Sequence, residues 1–297
     1  MRGRKNGIIL IDKPAGISSA GVVARVKRAL CAARVGHAGT LDPDATGLLI
    51  ILVNGATRVA SYAADGWKVY SGEIQLGVTT STDDMAGDVL STREVSVDFR
   101  EIAAAAATLS GRIMQCPPKV SAKKLDGKRA YKLHRSGQEF ELEARQVEVR
   151  RFELSSTTDR STIRYVTEVS PGTYVRSLAR DLGEALGCGG AVKSIRRELS
   201  GYFSVADALP PDVVSWELVR DWGELVPAMP RVVFSDEVVS GLQNGQIGAL
   251  RRAWEECNTV EPSAKYVVYS RKGEDESLGI LEVNSEGGYS FRLNLGQ

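Results

Sequence analysis

Six apolar residues in a row, Leu48-Leu49-Ile50-Ile51-Leu52-Val53, constrain the fold more than any other stretch of this chain. The run is far shorter than the ~20 residues a membrane-spanning helix needs. It does not alternate between polar and apolar, so it reads as a strand buried in a core. Residues 8–11, bounded by Gly7 and by Asp12-Lys13-Pro14, read the same way. Ser18 or Ser19 is placed to cap a helix whose Val22, Val23, Val26 and Leu30 recur at helical spacing. Residues 69–76 alternate like a more exposed strand, with Tyr70, Gly72, Ile74 and Leu76 on one face. Asp98 and Glu101 have capping-box spacing ahead of the alanines at 103–107. Residues 146–154 and 162–169 form an expected hairpin, and residues 173–186 an amphipathic helix stopped at Gly187. The segment near 210–222 reads as helical and acidic. Beyond Pro227 and Pro230 the clearest elements are short strands at 266–269, 279–283 and 289–293. The pattern is α+β: a mixed domain over residues 1–226 and a small, mostly β module over 227–297.

Charge is unevenly divided between these parts. Residues 207–297 hold 8 Lys/Arg against 15 Asp/Glu, a net of −7, so residues 1–206 carry +8 although the whole chain is only +1. Residues 119–135 hold seven cations, among them Lys123, Lys124 and Lys128, against Asp126 alone. Such clusters suit a polyanion, because each neutralised phosphate releases counterions, but a solvated loop has the same composition. The four cysteines form no CxxC pair and there are only two histidines, so neither a metal centre nor a disulfide framework is expected. The basic start runs straight into a strand without the apolar region of a signal peptide. These features lead us to expect a cytoplasmic protein that needs no membrane.

The chemistry concentrates in Gly36-His37-Ala38-Gly39-Thr40-Leu41-Asp42-Pro43-Asp44-Ala45-Thr46-Gly47-Leu48-Leu49. Pro43 pushes Asp42 out of helical geometry, and the glycines permit unusual dihedrals and close backbone approach. The loop thus presents a carboxylate at the edge of a rigid strand, where catalytic groups tend to sit. Taken alone, Asp-Pro before Gly is also ordinary turn chemistry.

This loop resembles the catalytic motif of the TruB family of tRNA pseudouridine synthases, and four further blocks match around it in the family's order. They are residues 7–19, Lys68-Val69-Tyr70 with residues 76–83, Gln115-Cys116-Pro117-Pro118 with residues 121–122 and 126–131, and Gly172-Thr173-Tyr174-Val175-Arg176 continuing to Gly183. The resemblance implies a pseudouridine synthase fold, a largely antiparallel mixed sheet with flanking helices, followed by a PUA-like RNA-binding module that the tail matches only loosely. It implies that a uridine at position 55, in the T-loop of tRNA, is flipped out and isomerised without a cofactor. Asp42 would be the catalytic residue, as nucleophile or as base at the ribose. Tyr70 would stack on the uracil and stand where the C5 proton leaves. Arg176 would pair with Asp42, Tyr174 and Ile195 would line the base pocket, and His37 would contact the RNA. Lys13 would brace the loop. Lys119-Val120 replace the aromatic or methionine often found after the Pro-Pro pair. The expected partner is the tRNA T-arm, with the chain acting as a monomer and needing no protein partner. The other readings are a guide-RNA-dependent synthase subunit and a non-catalytic RNA-binding or RNA-folding protein on the same scaffold.

Overall fold

The computed structural model describes residues 5–118, 120, 124–125, 128–129, 142–244, 246–256, 265–270, 277–283 and 289–292. The N-terminal strands are β1 (Gly7–Lys13), β2 (Val35–Ala38) and β3 (Thr46–Val53). Then come β4 (Lys68–Leu76), the short pair β5 (Val78–Thr80) and β6 (Val89–Thr92), and β7 (Gly111–Gln115). Two-residue strands β8 (Lys124–Leu125) and β9 (Lys128–Arg129) precede the long hairpin of β10 (Arg145–Ser156) and β11 (Thr162–Val169). After β12 (Gly190–Ser200), β13 (Phe203–Ser204) and β14 (Arg220–Asp221) are brief. The last four, β15 (Arg231–Phe234), β16 (Lys265–Ser270), β17 (Gly279–Val283) and β18 (Tyr289–Arg292), make a separate four-stranded sheet.

The main sheet runs β14-β1-β3-β12-β4-β11-β10-β7, with β2 added to β3 and β13 to β12. It is largely antiparallel, but β3 and β12 meet in parallel, with Thr46 opposite Arg196 and Gly47 opposite Arg197. That contact carries the start of β3 against the middle of β12. The loop that contains Asp42 is therefore held between two central strands.

Local signals act as the sequence suggests. Ser18 caps the helix Ser19–Leu30 by accepting from the Gly21 N–H. Ser19 does something else: its Oγ exchanges 2.9 Å hydrogen bonds with the Leu41 N–H and C=O. Asp98 and Glu101 complete a capping box on the helix Phe99–Thr108. The fourth-block helix spans Val175–Ala185 and presents buried Val175, Leu178, Ala179 and Leu182 to the sheet.

Three elements differ from expectation. β4 is central, bonded to β12 and β11; its alternation reflects Tyr70, Ile74 and Leu76 entering the core while intervening polar residues stay partly open. The helix expected near 210–222 is replaced by short 3-10 turns at Trp216–Leu218 and Trp222–Leu225 flanking β14. Here the fully buried Trp222 side chain dictates the path, and tertiary burial overrides local propensity. The C-terminal part adds two helices, Asp236–Gln243, capped by Ser235, and Ile247–Glu256.

β3 shows why the apolar run does not alternate. Leu49, Ile51 and Val53 enter one core with Ile9, Ile11, Val22, Tyr70 and Leu178. Leu48, Ile50 and Leu52 enter another with Ile8, Leu10, Trp222, Val267, Tyr269 and Ile280. The second core thus joins the main sheet to the C-terminal sheet. Its polar seam is also satisfied: Trp222 Nε1 donates to the Ser277 carbonyl at 2.8 Å, and the Ser277 N–H donates to Asp221 at 2.6 Å.

Candidate active site

The loop between β2 and β3 carries Asp42 into a cleft of about 400 Å³, within the ~300–1,000 Å³ range of small-molecule pockets. The walls include Leu41, Lys68, Tyr70, Tyr174, Arg176, Ile195 and Arg197. Five of the residues singled out from the sequence, Asp42, Tyr70, Tyr174, Arg176 and Ile195, therefore meet in one place. They come from two strands, a loop and a helix start separated by up to 153 positions.

Arg176 is the hub. Its Nη2 lies 3.1 Å from Asp42 Oδ2, and its Nη1 lies 3.3 Å from Asp84 Oδ2. The same two nitrogens donate to the carbonyls of Val120 and Thr82, both at 2.9 Å. Its side chain is only 8% exposed, while that of Asp42 is 46% exposed to the cleft. A guanidinium with four acceptors is orientationally fixed, so Asp42 meets a rigid partner. Asp84 is itself tied by the Thr82 hydroxyl at 2.6 Å and the Ala86 N–H at 3.1 Å. The start of the 175–185 helix is clamped by Gln115, which accepts from the Tyr174 N–H at 2.8 Å and donates to its carbonyl at 3.1 Å.

The loop backbone is braced from below by Lys13. This fully buried side chain donates to the carbonyls of Pro14, Ile17 and Pro43 at 2.9, 2.7 and 2.8 Å. Three carbonyls satisfy all three ammonium donors without a carboxylate in contact. Burial lowers its pKa to about 8, against the pull of Asp44 and Asp42. Lys68, held by the carbonyls of Ala64 and Gly66, is also lowered to about 8 by burial, helped by Arg197.

Desolvation pushes the Asp42 pKa above the ordinary carboxylate range; Arg176 and Lys13 oppose this, while Asp84 and Asp44 add to it. One flank of the carboxyl is open and the rest is walled by protein, and Arg176, ahead of Lys13, favours its ionised form. Four sequence candidates remain. His37 lies on β2 opposite Ile51 and is not among the cleft-lining residues; its Nδ1 is buried without a partner, and burial and Arg197 lower its pKa. Lys123 lies outside the described residues. Lys124 and Lys128 sit on the β8–β9 pair, for which only the backbone is described. Among the described residues no group of three or more His, Cys, Asp or Glu side chains is arranged to hold a metal ion.

Comparison with known proteins decides the family. The model of the TruB family pseudouridylate synthase N-terminal domain matches residues 27–175, a span that includes the Asp42 loop. This chain belongs to the TruB family. It is 44% identical over 225 residues to the tRNA pseudouridine synthase B of Cereibacter sphaeroides, covering 76% of this chain and 74% of that protein. It is 41% identical over 255 residues to the protein of the same name in Dinoroseobacter shibae, covering 83% and 84%. In three dimensions this TruB-family chain resembles a chain of the Cbf5–Nop10–Gar1 complex, with a TM-score of 0.67 at 22% identity over 97% of this chain and 83% of that one. At that identity the likeness concerns the fold alone, and it confirms the mixed-sheet architecture. Asp84, Gln115 and Arg197 are site residues to which the sequence reading gave no role. The first two lie inside or beside recognised blocks, and Arg197 lies two residues beyond Ile195 on the same strand face.

Proposed function

We propose that this TruB-family enzyme isomerises uridine 55 in the T-loop of tRNA to pseudouridine, with Asp42 as its catalytic residue. The observation that carries the reading is the 3.1 Å contact between Asp42 and the fixed Arg176, at the edge of a cleft walled by Tyr70, Tyr174 and Ile195. The reaction breaks the N1–C1′ bond and forms C5–C1′. The C5 proton leaves and N1 gains one, so atoms balance with no redox partner. A flipped uridine enters the cleft at an unstacking cost of roughly a few kcal/mol. Stacking on Tyr70 offsets this by ~1–3 kcal/mol. Asp42 then acts at the ribose as an anion, either on the sugar carbon or on its proton, and both routes require the same placement. Tyr70 stands beside the base to receive the C5 proton, and His37 contacts the RNA outside the cleft.

The lysines of residues 119–135, including Lys123, Lys124 and Lys128, face the RNA backbone. Residues 1–226 act as the catalytic domain and residues 227–297 as an RNA-placing module locked to it by the shared core. The chain acts as a monomer, without a protein partner, in the cytoplasm. Among the described residues no helix is long and apolar enough to cross a membrane. Two relatives that carry the name tRNA pseudouridine synthase B and are covered over about three quarters or more of their length favour a stand-alone enzyme over a guide-RNA-dependent subunit. Purified chain mixed with an unmodified tRNA transcript should form pseudouridine at position 55 without added RNA or protein. Product at other positions, or none until a guide RNA is supplied, contradicts the reading.

A further inference from the structure

Arg197 is 1% exposed, yet among the described residues no carboxylate lies within ion-pair distance of it. A buried guanidinium is costly unless its donors are well used, so what it bonds to is informative. Nε donates to the Leu48 carbonyl at 2.7 Å and Nη2 to the Gly39 carbonyl at 3.1 Å. Those two carbonyls bracket the Asp42 loop. The glycines at the same places have left-handed backbones, φ 78° at Gly39 and 97° at Gly47. A Cβ on Gly39 would stand 3.3 Å from Arg197 Nη1, and one on Gly47 would stand 2.4 Å from the Arg197 carbonyl oxygen. One residue of β12 therefore abuts both hinges of the loop, through its side chain at one and its backbone at the other.

We infer that Arg197 is a positioning residue, a strut that fixes both ends of the 39–48 loop and so holds Asp42 against Arg176. The inference rests on the assignment of Asp42 as the catalytic residue. Lys13 and Ser19 hold the middle of the loop, through Pro43 and Leu41, and neither reaches its ends. Nε and Nη2 reach the two carbonyls in directions fixed by one rigid, planar guanidinium; a lysine keeps the charge but draws all its donors from a single nitrogen on a flexible stem. The strut sets geometry at a reacting centre, where a misplacement of 1 Å costs about 100-fold.

Arg197→Lys and Arg197→Met test this, with kcat on saturating tRNA, the Kd for tRNA and a melting curve measured for each. Both should lower kcat by about 30- to 100-fold with Kd nearly unchanged. The acid limb of kcat should move to higher pH, because a displaced Asp42 loses the cation that favours its charge. Wild-type kcat in Arg197→Lys overturns the strut, since charge alone then suffices. Normal kcat with weakened tRNA binding also overturns it, because Arg197 would then be an RNA contact. If neither variant folds, Gly39→Ala decides: it leaves the guanidinium in place but crowds Nη1, and unchanged kcat refutes the inference. Asp42→Asn is assayed alongside. Turnover by that variant refutes the role of Asp42 itself, an outcome distinct from the others.

Discussion

The rim of the cleft and the rear face of β3 are buried by opposite means. Around the cleft, Lys13, Lys68, Arg176 and Arg197 are all removed from water, and every one of them is held by backbone carbonyls. On the rear face Leu48, Ile50 and Leu52 meet Trp222, Val267, Tyr269 and Ile280 with little polar content beyond the Ser277 seam. Burying a cation opposes folding unless each donor is satisfied, whereas burying a leucine or tryptophan favours it by ~1.5–3 kcal/mol or more. The cleft side therefore spends stability on placement and the rear face supplies it. Substitutions on the two sides should separate activity from stability.

The sharpest separation is expected at Asp42. Asp42→Asn should abolish detectable pseudouridine while tRNA binds within a small factor of wild type. Its native pKa is raised, so the folded state holds a proton more tightly than the unfolded one. The associated penalty is therefore absent at low pH and grows as pH rises through that pKa. At neutral pH the asparagine variant should melt no lower than wild type. A substantial drop in Tm would make Asp42 a structural residue and blur the contrast.

Trp222→Ala probes the other side. It removes a fully buried ring and orphans the Ser277 carbonyl, which should cost about 3–5 kcal/mol of stability. At a temperature where the variant remains folded, its kcat should stay near the wild-type value. A large kcat loss in folded Trp222→Ala would mean that the seam reaches the chemistry. Deleting the chain after about residue 227 is a harsher version, because it strips Val267, Tyr269 and Ile280 from the core that they share with Ile8, Leu10, Leu48 and Ile50.

How far the sequence foretold all this depends on whether a feature is local. The turn around Asp42 was legible because Gly, Asp and Pro act through their own dihedrals, while its expected chemistry came from resemblance alone; the capping box was legible because it spans four residues. Asp42, Tyr70, Tyr174, Arg176 and Ile195 were brought together by resemblance, since nothing in their spacing declares that they meet. Arg197 and Lys68 were invisible for a different reason: a basic residue on an alternating strand normally faces water, and only the completed fold shows its donors turned onto carbonyls. The rear seam was equally hidden. Residues 266–269 and 279–283 read as strands of a small separate module, and only the fold places Val267 and Ile280 in one core with Ile8, Leu10 and Leu48. The helices at Asp236–Gln243 and Ile247–Glu256 escaped notice because each is short and carries a glycine.

The smallest expected effect follows from the price of the cleft-side cations. Lys13 titrates at about 8 in the native protein against 10.5 for the free side chain, so it binds fewer protons folded than unfolded across that window. Stability contributed by this group should rise with pH between about 8 and 10.5. Wild type should therefore gain stability relative to Lys13→Met as pH climbs through the window, as measured by urea titration at fixed salt. A difference that is flat or shrinks would show that the buried ammonium is not penalised.

The shared rear core also has a consequence in time. Ile8 and Leu10 leave the ribosome about 255 residues before Val267, Tyr269 and Ile280, which share their core. At ~5–20 residues per second, that face of the sheet waits roughly 13–50 s for its lid. Until then the nascent chain carries an incompletely covered apolar surface, and a pause before residue 265 prolongs the interval in which chaperone binding or aggregation competes with folding.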